Sequence, residues 1–169
     1  MNYAKKITGM LLEERSQSIH FDPKQKFFYL QHQEGDYQFQ IKFKDVAKYG
    51  ILLDYIAIGK PVPLQDVETI NQRLDAQADT IQKRITFLLE EFKLIEMDVR
   101  NKRAQLRSYP PHTEENAKYY YEIVLDEGVK VHFQRYQFLT DEKRYAKITS
   151  QLTMETFERL INELVRILQ

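Results

Sequence analysis

The sequence predicts an α+β fold: an aromatic-rich antiparallel β-sheet in two β-segments, packed on helices, with one long heptad-patterned helix (residues 64–107) forming a coiled-coil-like arm. Three observations predict it. Tyr37, Phe39, Ile41 and Phe43 alternate with polar residues, the period of a strand with one wet face. Residues 154–168 place Phe157, Leu160, Ile161, Leu164 and Leu168 on one stripe at helical spacing. Between Pro63 and Pro110, one seam runs Asn71, Ala78, Ile85, Phe92, Val99, Leu106 and a second runs Val67, Leu74, Ile81, Leu88, Ile95, Lys102. Ten of these twelve positions are apolar, where a hydrophobic fraction of 43% would give about five by chance.

Taken in order, residues 3–18 put Tyr3, Ile7, Met10 and Leu11 on one side and read as an amphipathic helix that Asp22-Pro23 terminates. Runs 25–33 and 37–44 flank Glu34-Gly35-Asp36 as a β-hairpin. Residues 46–58 are apolar nearly all round, with Gly59 as a stop, and read as a buried helix. The heptad helix would extend roughly 60–65 Å at 1.5 Å per residue, so it calls for a partner helix along much of its length. Pro110-Pro111 ends it in a polar loop. Residues 117–126 and 129–139 around Glu127-Gly128 form a second hairpin, and 144–152 a further strand. Thr153 is an N-cap for the final helix, with Glu155 beside the helix dipole. The whole chain, 1–169, reads as a single domain: a β/α segment 20–60, the long helix 64–107 and a β/α segment 117–169. Runs 27–39 and 119–131 share an outline of aromatics, an aliphatic and Glu-Gly, but few identities, so chance likeness of two hairpins is the expectation.

Composition narrows the functional classes. Twenty-five basic residues balance twenty-five acidic ones, which argues against bulk electrostatic capture of nucleic acid or anionic membrane. The absence of cysteine excludes disulfides and thiolate chemistry. The apolar start is broken by Thr8 and Gly9, and the apolar run 50–59 is short and holds Asp54, so a cytoplasmic protein with no membrane partner is expected.

Sites for chemistry are sparse. His20, His32, His112 and His132 are scattered without ligand spacing, so no metal or other cofactor is expected. Glu90-Glu91 with Glu96 and Asp98 approaches the E-E-x-x-E and E-x-x-D pattern of helical nucleotide pyrophosphohydrolases. It fails because Leu94 stands where the third Glu belongs and Asp98 is one position off. The four serines lie in no G-x-S-x-G elbow, and the five glycines form no phosphate-cradling loop. No catalytic residue is assigned.

The expectation is therefore a non-enzymatic homo-oligomeric interaction or scaffolding module, a homodimer held through Leu74, Ile81, Ile85, Leu88, Phe92 and Ile95 and open to a further protein partner. The alternative is single-stranded nucleic-acid binding. Arg100, Lys102, Arg103 and Arg107 at the basic end of the helix, with Lys130, Arg135, Tyr136, Arg144 and Lys147 on the 117–149 sheet, would track phosphates and stack bases. An enzyme with an unrecognised site is the third reading.

Overall fold

A computed structural model describes residues 2–13, 16–61 and 66–169. The described residues hold three helices and one eleven-stranded sheet. The chain runs α1 (Tyr3–Leu11), β1 (Ile19–Asp22), β2 (Phe27–Glu34), β3 (Tyr37–Ala47), β4 (Gly50–Gly59) and α2 (Val67–Arg84). It continues through β5 (Glu91–Asp98), β6 (Arg103–Tyr109), β7 (His112–Glu114), β8 (Ala117–Asp126), β9 (Lys130–Leu139), β10 (Arg144–Ile148), β11 (Ser150–Thr153) and α3 (Met154–Leu168).

The main sheet order is β1-β2-β3-β4-β9-β8-β6-β5, so two antiparallel meanders meet at β4 and β9 in one continuous sheet. In this arrangement β2–β3 corresponds to β6–β8. The two runs that look alike in sequence, 27–39 and 119–131, do not occupy equivalent places. β4 and β9 pair only where Tyr55–Gly59 faces Lys130–Gln134. Beyond that they part, and β10 lines β9 while β11 lines β4, filling the fork.

The helices cover one face of the sheet. Phe39, Ile41 and Phe43 of β3, Ile123 and Leu125 of β8, and Val131 and Phe133 of β9 point into a single core with Leu74, Ile81, Phe157, Ile161 and Leu164. The helix termini follow side-chain capping logic. Asp66 accepts from Thr69 N at 2.8 Å and Thr153 from Thr156 N at 3.1 Å, each satisfying an orphan donor of the first turn.

The coiled-coil arm is not present. The stretch expected as one helix over 64–107 is α2, a connection, and the β5–β6 hairpin, while residues 64 and 65 lie outside the described residues. The helix ends where β-branched Ile85-Thr86 follow Arg84, and Leu89 takes a left-handed φ of 66° that no helix tolerates. The hairpin then alternates, with Ala104, Leu106 and Ser108 buried and Arg103, Gln105 and Arg107 on the other face. A second correction concerns residues 46–58, which form the end of β3 and most of β4 rather than a helix. The first helix is also shorter than 3–18, ending at Leu11, with Glu14 and Arg15 outside the described residues.

The seam residues assigned to self-association belong to the monomer's interior. Leu74, Ile81, Ile85, Leu88 and Phe92 are buried in the core, and Ile95 stands exposed on the edge strand β5.

Candidate binding face of the sheet

The face turned away from the helices is open, and its side chains follow from the strand alternation. β2 and β3 contribute glutamines in two directly opposed cross-strand pairs, Gln31 with Gln40 and Gln33 with Gln38. Next to them β4 offers Ala57 and Gly59, which are too small to fill the surface. Beyond these come Lys130 and His132 of β9, Val124 and Asp126 of β8, and Arg103 of β6. Together these side chains line a trough of about 900 Å³ that crosses the middle of the sheet. From β2 to β6 the trough spans five inter-strand gaps, about 24 Å at ~4.8 Å each.

One long side of the trough is bounded by the fork. The register between β3 and β4 shifts after Lys42, which leaves Asp54 as an extra residue whose carboxylate turns to the open face. There Gln134 Nε2 donates to Asp54 Oδ1 at 2.8 Å, and Lys42 Nζ lies 3.1 Å from Asp54 Oδ2. Burial pulls the Lys42 ammonium down, but its hydrogen bond and charge contact with Asp54 outweigh this and hold its pKa above the usual lysine value. His132 stacks near Tyr55 with ring centroids 5.1 Å apart. Burial, aided by the charge of Lys147, lowers the His132 pKa and favours the neutral ring.

Beside the fork lies an aromatic and cationic cluster. Tyr120 stacks on Tyr136 at 5.7 Å, and the Arg107 guanidinium sits 4.7 Å from the Tyr120 ring centre and 5.5 Å from that of Tyr145. Burial pushes the Tyr120 phenol up to about 12. Arg107 also faces Glu122 at 3.5 Å, and Gln105 Nε2 donates to that carboxylate at 2.7 Å.

The residues expected to contact nucleic acid are only partly brought together. Arg103, Arg107, Lys130, Tyr136 and Lys147 share the open face, as the pairings of Arg103 with Asp126, Arg107 with Glu122 and Lys147 with Tyr136 place them. Arg100 and Lys102 lie in the β5–β6 turn. Arg135 is on the helix side, 3.3 Å from Glu90 Oε2, and Arg144 pairs with Glu142 at 3.1 Å. Sequence reasoning missed the four glutamines, Asp54, Lys42 and Gln134. Gln38 and Gln40 were visible as the wet side of the alternation in 37–43, but their pairing with Gln31 and Gln33 required the hairpin register.

Among the described residues, no three His, Asp or Glu side chains come together as a metal site, and no helix is long and apolar enough to cross a membrane. Comparison with protein families, with curated proteins and with solved structures returns no match.

Proposed function

We propose that this protein is a binding module that holds an extended polypeptide segment across the open face of the sheet. The observation that carries this reading is the pairing of Gln31 with Gln40 and Gln33 with Gln38 beside a floor of Ala57 and Gly59. Each glutamine offers donors and an acceptor without charge, the complement of a peptide backbone. A trough about 24 Å long takes roughly seven residues of extended chain at ~3.4 Å each.

The same surface disfavours the other ligands considered. A groove for single strands needs open ring faces and uncompensated cations. Here the Tyr120 ring is taken by Arg107 and Tyr136, the Tyr55 ring by His132, and the Phe27 and Tyr29 rings by Lys42. Lys42 and Arg107 each face a carboxylate, while Arg103, Lys130 and Lys147 form no ion pair among the described residues, so the occupied ring faces carry this preference.

The test is fluorescence anisotropy with reduced, carboxymethylated lactalbumin as a permanently unfolded probe and labelled oligo-dT as the competing class. The expected result is probe binding that changes little with salt. It should weaken at least about tenfold in the double variant Gln38→Ala, Gln40→Ala, from two hydrogen bonds of about 1 kcal/mol each. Binding of oligo-dT alone, with affinity falling steeply in salt, would replace this reading with the nucleic-acid one.

A further inference from the structure

A second surface lies at the far edge of the sheet, away from the trough. β5 is the last strand in the sheet order and pairs only with β6 among the described residues, so one side of its backbone carries unused donors and acceptors. Apolar side chains gather there. Leu94 is 37% exposed, Ile95 54% and Val99 55%, an unusual grouping for a free edge. On the helix side of this edge, α2 runs alongside and leaves a groove of about 590 Å³ lined by Val67, Asn71, Gln72 and Met97, with Glu68 and Asp75 at its rim. The Asn71 Oδ1 atom is buried and has no hydrogen-bond partner among the described residues. A buried acceptor left so is unfavourable, and an incoming N–H would satisfy it.

An open edge, a flanking helix and an apolar groove between them are the parts required for strand addition, in which backbone bonds hold the guest and alternate side chains enter the groove. Charge selects the guest. The side chains between the groove positions of an added strand turn to the open face, where Glu91 and Glu96 of β5 form no ion pair among the described residues and Lys93 lies over the Tyr109 ring at 4.6 Å; no basic side chain lines the groove itself. We propose that the groove between α2 and β5 binds an extended segment of a partner polypeptide, apolar at alternate positions and basic between them, added as a further strand to β5. The register shift at Ile95 breaks the edge in the middle and confines the added ladder to short stretches on either side.

This inference is independent of the trough and survives its failure. The probe is a fluorescein-labelled, end-blocked nonapeptide alternating valine with lysine. Its controls replace lysine by glutamate or valine by glycine. The intact protein should bind the valine–lysine peptide at least about tenfold more tightly than either control, and amide exchange should slow in Glu91–Asp98. The double variant Glu91→Lys, Glu96→Lys changes two exposed positions on the open face of β5 and should keep its melting temperature while transferring the preference to the valine–glutamate peptide. Equal binding of the glycine–lysine peptide would show charge attraction alone and overturn the proposal. Loss of binding in Gln38→Ala, Gln40→Ala with none in the charge-reversed variant would move the peptide to the trough and also overturn it. A dimer in sedimentation equilibrium whose formation protects the β5 amides would make a second copy of this chain the guest and overturn it as well.

Discussion

Gln77 and Arg73 illustrate how single side chains hold the helix layer to the sheet. Gln77 Nε2 donates to Gly128 O at 2.9 Å and to Ile167 O at 3.1 Å, while Arg73 donates to Gly128 O and Leu168 O, each at 2.8 Å. The β8–β9 turn and the last carbonyls of α3 are thereby satisfied from α2, where a helix end would otherwise bury them unpaired. Gln77→Leu keeps the volume and removes the donors, so chemical denaturation should show a loss of about 1–3 kcal/mol. His132 carries a pH dependence. Its folded pKa lies below the unfolded value of about 6.5. The unfolded chain therefore binds the proton first as pH falls. Stability is full above about 6.5 and declines as pH drops towards the lowered folded value. Denaturant melts at pH 7.5 and 5.5 should show that decline, and His132→Gln should flatten it.

At the scale of elements, the two misread stretches share a cause. In β4 the buried apolar residues are Ile51, Leu53, Ile56 and Ile58, and the extra residue Asp54 between the pairs breaks strict alternation. In β5 Phe92 and Leu94 face inward, and after the shift at Ile95 the inward position falls on Met97. Each bulge turns a period of two into spacings of two and three, which over ten residues imitates a helix. Where no bulge intervenes, as in Tyr37–Phe43, 117–126 and the α3 stripe, strand and helix were legible. The heptad seam was legible only as an apolar count, because Ile70, Leu74, Gln77, Ala78 and Ile81 are the buried face of α2 and the remainder belongs to a hairpin. The distinction is measurable. Ile81→Ala should cost about 2–5 kcal/mol, whereas Ile95→Ala on the exposed edge should stay within about 0.5 kcal/mol. A continuous helix with both residues in one seam would penalise them alike.

For the whole molecule, the asymmetry of the sheet governs what the protein can do. One face is spent on the core, and the other, split at the fork, presents amides, small residues and both paired and unpaired charges. Zero net charge, which the sequence displayed at once, agrees with a neutral hydrogen-bonding guest. The glutamine pairs that would hold it depended on a register no composition reveals. The most direct measurement is a titration of the ¹⁵N-labelled protein with carboxymethylated lactalbumin, followed through the glutamine side-chain amide resonances. The account predicts shifts concentrated at Gln31, Gln33, Gln38 and Gln40 and at the backbone of Ala57, Lys130 and His132. Shifts confined to α1, α2 and α3, with those four amides unmoved at saturation, would contradict it.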